Sequence, residues 1–272
     1  MKTLYVSDLD GTLLNSKAEL TQNTIDTLNI LIDKGLNFTI ATARCMTSVE
    51  LMKPVHLKLL SIQLNGVLLY YFREQRYISS IRIERTCVEK IIKILEKYKR
   101  SYTIYYFDGG VNMVNTGFAN SYEENFFLTL TRNDYKTMQF MDRFDCNLHE
   151  EIIYFTLIGE YSDLLEPYNE ICKIRGVKAL LYQDNYSGLF FLEIFSHKAG
   201  KDRGAKRLKD IYKADRLVVF GDNLNDLDMF AVADKALATA NGNAKVKRRA
   251  DAVIPSNDSD GVAKYLRMSF LL

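Results

Sequence analysis

The chain is poor in the features that mark linkers, disulfide scaffolds and membrane spans. It has three prolines in 272 residues, which leaves no Pro-rich spacer, so any second domain is wired in tightly. Its four cysteines, at 45, 87, 146 and 172, lie far apart with no CxxC spacing. That excludes a zinc knuckle and gives no disulfide framework. No run of about 18 uncharged apolar residues occurs, so no membrane span is predicted. Met1-Lys2 leads directly into a strand, and Asp8 and Asp10 would interrupt a signal-peptide core. Together these absences predict a cytoplasmic protein. Excess charge is lacking too: 36 basic against 34 acidic residues give a net +2, which makes no electrostatic case for nucleic acid. The basic run Lys245-Val246-Lys247-Arg248-Arg249 fits the solvated face of a late helix. No heptad or interface stripe stands out, so no protein partner is evident.

What is present is a globular composition, 47% hydrophobic, on a chain long enough for one large domain or two. The most informative segment is Leu4-Tyr5-Val6-Ser7-Asp8-Leu9-Asp10-Gly11-Thr12-Leu13-Leu14. Residues 4–7 read as a buried strand with Asp8 at its carboxyl end, and Gly11 permits the positive φ of a sharp exit. Open α/β sheets bind ligands beyond the carboxyl ends of their strands. Two carboxylates there, with no neighbouring base to pair them, point to a cation and a reaction. An amphipathic helix over 20–34, capped by Thr21 and stopped by Gly35, leads to a strand over 36–41. Strand, helix and strand with a short return form a βαβ unit, which demands a parallel sheet. A third strand is expected at 60–64, ending at Asn65-Gly66.

The middle of the chain changes character. Helical stretches at 88–98, 122–129 and 162–174 alternate with strands at 102–107, 152–158 and 189–195, which predicts an inserted α+β module. Its many aromatics read mostly as sheet core, Asp108-Gly109-Gly110 as a hairpin turn, and Glu123-Glu124 as a solvated helix face. The α/β rhythm then resumes with a helix at 204–212 and a strand at 216–220 ending in Gly221-Asp222. A helix at 226–233, a strand at 235–238, a helix at 243–250 and a strand at 252–254 complete it. His56 and His149 stand alone and read as surface or helix residues. Cys45 follows Arg44 at a strand end open to solvent, and reads as an inert thiol.

Four polar clusters thus fall at element ends: Asp8 with Asp10; Thr42 with Arg44; Lys201; and Gly221-Asp222-Asn223-Leu224-Asn225-Asp226. If their strands are neighbours in a parallel sheet, all four converge at one edge. Carboxylates, a hydroxyl and a lysine together suit Mg²⁺-assisted phosphoryl transfer, because Mg²⁺ takes hard oxygens plus phosphate and water. A lysine offsets charge on the transferring group.

In this order the clusters resemble the haloacid dehalogenase superfamily of phosphatases, and most closely its Cof-like subfamily. The opening Asp-x-Asp-Gly-Thr-Leu, the Gly-Asp-x-x-Asn-Asp and the tail segments Gly242-Asn243-Ala244, Ala250-Asp251 and Asp260-Gly261-Val262-Ala263 carry the resemblance over essentially the whole chain. It implies a Rossmann-like parallel-sheet core over 1–82 and 190–272, with an α/β cap inserted over 83–189. It implies Asp8 as nucleophile, Asp10 as acid and base, and Lys201 as the neutralising lysine. Lys198 lies in the same stretch, but the family's spacing from Ile194 and to Leu208 favours Lys201. Mg²⁺ would be held by Asp8, the Asp10 carbonyl and Asp222, with Asp226 close by. Thr42, Ala43, Arg44 and the Leu9 backbone would meet the substrate, and Asn225 would orient Lys201 or the phosphate. The implied activity is hydrolysis of a small phosphorylated metabolite, foremost a sugar phosphate. A phosphomutase or a non-catalytic phospho-ligand-binding regulator are the alternatives. Three departures from the family pattern are Ala43 for a usual Gly, Asp202 for a Gly after the lysine, and Asn241 for a Met. Asp202 would serve as a helix cap or pair with Lys201.

Overall fold

The computed structural model describes residues 1–132, 138–141, 144 and 151–270. His149 and Cys146 lie outside the described residues. The chain divides into two compact units, residues 1–79 with 200–272, and residues 80–199.

The first unit begins with strand β1 (Thr3–Ser7), helix α1 (Gln22–Asp33) and strand β2 (Asn37–Ile40). Thr21 caps α1 as expected, its hydroxyl accepting from Thr24 N–H at 3.1 Å. A short helix α2 (Met46–Met52) then leads to β3 (Leu60–Gln63), β4 (Leu68–Tyr71) and β5 (Arg76–Ser80). Strand β3 carries the expected third-strand residues, but it pairs antiparallel with β4 in a three-stranded sheet ordered β3-β4-β5. It touches β2 through the parallel bridge Ala41–Ile62.

The second unit runs α3 (Arg85–Lys97), β6 (Thr103–Phe107), β7 (Val111–Asn115), α4 (Ser121–Arg132), β8 (Met138–Phe140), β9 (Ile152–Gly159), α5 (Tyr161–Ile171), β10 (Val177–Gln183) and β11 (Phe190–Ser196). Its sheet is ordered β10-β11-β9-β6-β7-β8 and is antiparallel except for β7–β8. The expected boundary at 189/190 is corrected here. Residues 190–196 form β11, which pairs with β9 and β10, so the inserted unit extends to Ala199. Helices α3 and α5 place Ile91, Leu95, Leu164 and Ile171 in one apolar cluster with Ile104, Phe155, Leu157, Leu192 and Ile194 of the sheet. Asp108-Gly109-Gly110 is the β6–β7 hairpin turn, closed by Asp108 N–H to Gly110 O at 2.9 Å.

The chain returns to the first unit with α6 (Lys201–Ile211), β12 (Arg216–Gly221), α7 (Leu227–Val232), β13 (Lys235–Thr239), α8 (Ala244–Lys247), β14 (Ala252–Ile254) and α9 (Gly261–Phe270). The principal sheet is ordered β14-β13-β12-β1-β2, every pair parallel. Side chains alternate across it. Tyr5, Phe38, Ile40, Val218 and Phe220 join Leu28 and Leu31 of α1 and Val262 and Leu266 of α9. Leu4, Val6, Leu217, Val219, Ala236 and Ala238 join Ala205 and Leu208 of α6, Met229 and Phe230 of α7 and Val246 of α8. Cover on both faces explains why these strands read as continuous apolar runs. The basic run lies as expected: Val246 is buried while Lys245, Arg248 and Arg249 are exposed. Among the described residues no helix is long and apolar enough to cross a membrane.

Candidate active site

Parallel pairing sends the carboxyl ends of β12, β1 and β2 to one edge of the sheet, and the polar clusters come with them. Ser7 is in register with Phe220 and with Ile40, so Asp8, Asp222 and Thr42 follow three adjacent strands. The chain runs from β1 to β2 on one side, while β12 flanks β1 on the other. This is the switch-point topology at which open α/β sheets bind ligands.

Asp8 is buried and donates its backbone N–H to Phe220 O at 3.0 Å. After it the chain turns through Gly11, whose φ of +76° confirms the sharp exit. Lys201, the first residue of α6, is 2% exposed, and its Nζ lies 2.6 Å from Asp8 Oδ1 and 2.7 Å from Asp226 Oδ1. Lys198 instead points to solvent and pairs with Glu84 at 3.4 Å. Carboxylate oxygens of Asp8, Asp222 and Asp226 all lie within 4.8 Å of one another.

Electrostatics in this cluster are unbalanced. Three carboxylates and one ammonium leave a formal charge of −2 (−3 + 1) in a buried site, since the nearby Asp10 is matched by Arg44. Burial pushes the Asp8 carboxyl up to about 7, with Asp226 and Asp10 adding repulsion against the pull of Lys201. Burial also raises Asp222 well above the usual carboxylate range, followed by repulsion from Asp8 and Asp226. For Lys201 burial opposes the charge, yet Asp226 and Asp8 outweigh it and hold the ammonium above its ordinary range. A hard oxygen donor set with a surplus of two negative charges fits a divalent cation such as Mg²⁺.

The predicted substrate residues are placed as follows. Thr42 is fully buried, its Oγ1 accepting Arg44 N–H at 3.0 Å. Arg44 grips Asp10 bidentately, Nε to Oδ2 at 2.8 Å and Nη2 to Oδ1 at 2.6 Å, the strong fork geometry of guanidinium with carboxylate. Ala43 lies between them in the loop after β2. The Leu9 side chain is buried in the apolar cluster, so only its backbone is available to a phosphate. Asn225 follows Leu224 in the loop after β12, but it is Asp226 that orients Lys201. Asp226 Oδ2 also accepts the backbone N–H groups of Asp222 and Asn223 at 3.0 and 3.2 Å, so this carboxylate both holds the lysine and shapes the loop. Lys201 pairs with Asp8 and Asp226, and α6 starts after Gly200 with Asp202 in its first turn.

Two contributors had no assigned role in the sequence reading. Thr12 donates to Asp222 Oδ1 at 2.9 Å; its place in the opening motif was the signal. Asn241 donates to Gly11 O at 2.8 Å and accepts Asn257 N–H at 3.1 Å, tying the Asp8–Gly11 loop to the tail. Cys45 is buried away from solvent, its Sγ 3.3 Å from Tyr77 OH, which leaves its reading as an inert thiol standing. One expectation fails. Glu123 is fully buried rather than solvated, because its carboxylate reaches back to Ala119 N–H at 2.6 Å at the start of α4. His56 is an exposed surface residue beside Asp33.

The sequence profile of the haloacid dehalogenase-like hydrolases matches residues 5–266. The chain belongs to that family. It is an enzyme of the haloacid dehalogenase-like phosphatase type. Its relatives include a Buchnera aphidicola (from Acyrthosiphon pisum) protein provisionally named a phosphatase, 29% identical over all of this chain and 97% of the relative. Another is the Bacillus subtilis 5-amino-6-(5-phospho-D-ribitylamino)uracil phosphatase YitU, 24% identical over 99% of this chain and 98% of its own. In fold, the chain is similar to a haloacid dehalogenase-like hydrolase from B. subtilis, with TM-score 0.80, 22% identity and full coverage of both chains. It is also similar to a subclass IIB sugar phosphatase of the superfamily, with TM-score 0.74, 19% identity and full coverage of both.

Proposed function

We propose that this enzyme is a Mg²⁺-dependent phosphomonoesterase that hydrolyses a small phosphorylated metabolite, foremost a sugar phosphate, through an aspartyl-phosphate. The observation that carries the proposal is Asp8 at a strand end, 2.6 Å from a buried lysine and within one acidic cluster with Asp222 and Asp226. Asp8, Asp222 and the Asp10 carbonyl would hold the ion, with Asp226 beside them. When bound, the ion would neutralise charge on phosphoryl oxygens.

An Asp8 carboxylate oxygen attacks phosphorus. The new O–P bond forms as the ester P–O bond breaks, and Asp10 gives its proton to the departing alcohol. Water then attacks the phosphorus of the acyl phosphate and Asp10 takes a proton from it. The Asp8–phosphate bond breaks, restoring the carboxylate and releasing phosphate. Lys201 offsets the charge spread over the phosphoryl oxygens. The Thr42 oxygen already accepts from Arg44 N–H, so its own proton is the one to donate to a phosphate oxygen. Arg44 holds Asp10 in its carboxylate form, the form that takes the proton from water, and the fork opens when Asp10 carries the proton it gives to the alcohol.

The substrate class draws on the relatives. One is named for a phosphoribitylamino compound and one fold neighbour is described as a sugar phosphatase. Both favour a phosphate ester on a polyhydroxylated carbon chain. The test is phosphate release from phosphorylated sugars, nucleotides and cofactors, with and without Mg²⁺, beside Asp8→Asn. Metal-dependent release that the variant lacks is expected. Release that persists in Asp8→Asn, or no release from folded, Mg²⁺-loaded protein, would overturn it.

A further inference from the structure

We infer that the turn Leu64–Gly66, after β3, is a positioning device for the reaction, seating Lys201 against the loop that presents Thr42 and Arg44. The inference rests on the phosphatase reading and adds residues to it that touch neither phosphate nor acid. Leu64, Asn65 and Gly66 have φ values of +44°, +50° and +92°. Three consecutive left-handed residues, two of them not glycine, are held only where the surroundings require them.

The surroundings are the two halves of the site. On one side, Leu64 N–H donates to Arg44 O at 3.1 Å and Asn65 N–H donates to Thr42 O at 3.0 Å. The loop that carries Thr42 and Arg44 is thereby fixed to this turn at two points. On the other side, a Cβ on Gly66 would stand 2.2 Å from Gly200 O, 2.6 Å from Gly200 C and 2.8 Å from Gly200 N. Gly200 immediately precedes Lys201, and those atoms are backbone, so no rotamer change makes room. One turn further along α6, a Cβ on Gly204 would stand 2.8 Å from Ile62 Cγ2 on β3. Helix α6 therefore sits on β3 and its turn through two missing side chains, with Lys201 on the end nearer the turn.

The consequence follows from distances. Ordinary contact begins near 3.4 Å, so a methyl at Gly66 must displace Gly200, and Lys201 with it, by about 1 Å. A shift of that size in a catalytic group costs about 100-fold in rate. Gly66 and Gly204 act through Lys201; they are positioning residues.

The test uses the full chain with Mg²⁺ and p-nitrophenyl phosphate. Gly66→Ala is expected to lower kcat about 100-fold and to change KM less than about threefold. In a Lys201→Arg background the same substitution should cost less than about threefold, because two changes acting through one group are not additive. A folded Gly66→Ala protein with kcat within about twofold of the parent overturns the inference, as do fully additive losses in the double variant. If Gly66→Ala does not fold, Gly204→Ala takes its place. It should lower kcat about tenfold, and Ile62→Ala should restore most of that by clearing the methyl; no loss, or no restoration, overturns the inference. If the parent itself releases no phosphate, the phosphatase reading fails. The seat is then judged by the Lys201 Nζ–Asp8 distance in crystals of parent and Gly66→Ala, where an unchanged distance refutes it.

Discussion

The two units bury polar groups in opposite ways. In the first, a parallel sheet gathers Asp8, Thr42 and Asp222 beyond three adjacent strand ends, and their charges are left in surplus. In the second, Glu193, Thr156, Thr103 and Asn115 form a buried row in direct register across β11, β9, β6 and β7. That row is satisfied locally. Asn115 donates to Thr103 Oγ1 at 2.8 Å and Tyr182 OH to Glu193 Oε2 at 2.8 Å. A parallel sheet points all its strand ends one way, so loops from distant sequence meet. An antiparallel sheet sends alternate ends apart, and its polar residues pair with neighbours across the ladder. Surplus charge gathers beyond the strand ends of the first unit, while the polar row across β11, β9, β6 and β7 of the second pairs within its own ladder.

The sharpest break in this contrast is Asp8→Asn. Turnover should fall at least about 10⁴-fold with no drop in Tm, because a carboxylate that burial disfavours is replaced by a neutral amide. A clear loss of Tm would mean that Asp8 holds the fold together. Next come two lysines in adjacent turns of chain but in different units. Lys201→Met strands Asp8 and Asp226 without their cation, and denaturant unfolding should show a loss of about 3–5 kcal/mol. Lys198→Met removes one arm of an exposed ion pair and should leave the midpoint unchanged.

The pH dependence gives a third contrast. The Asp8 carboxyl, raised by burial to about 7 from 3.8, stays protonated in metal-free native protein where the unfolded chain is already ionised. Native protein then holds the extra proton, so stability should fall as pH rises from about 4 to about 7. Mg²⁺ needs the deprotonated ligand, so its affinity should weaken as pH drops below about 7. Denaturation midpoints with and without Mg²⁺ across that range check both signs. The smallest effect belongs to Glu123 of the second unit, which burial raises from 4.5 to about 7 against the Ala119 and Ile158 amides. The parent should lose stability between those pH values relative to Glu123→Gln, with kcat unchanged. Parallel stability curves would put the carboxylate in water.

Most of the site was legible because its residues sit at ends of strongly apolar strands. The 3–7 and 216–221 strands needed only their hydrophobic runs, and parallel pairing then placed Asp8 beside Asp222. What could not be read were roles set by long-range contact. Nothing local shows that Asp226 rather than Asn225 steadies Lys201, or that Asn241 joins Gly11 to Asn257. Glu123 looked solvated because a carboxylate that reaches back over a helix start has the same local pattern as one on an open face. The 189–195 strand was read with the inserted module while the expected 189/190 boundary cut across it, and its antiparallel partners β9 and β10 place all of β11 in that unit. The antiparallel turn-back of β3 into β4 was missed for the same reason: a short apolar strand does not announce its direction.

The central claim is that Asp8 carries the phosphoryl group. Asp10→Ala should slow release of that group more than its transfer from an aryl phosphate with a good leaving group. Rapid acid quench of this variant, followed by peptide mass spectrometry, should find one phosphoryl group on Asp8. Steady turnover with no phosphorylated peptide, or a phosphoryl group on another residue, would contradict the account.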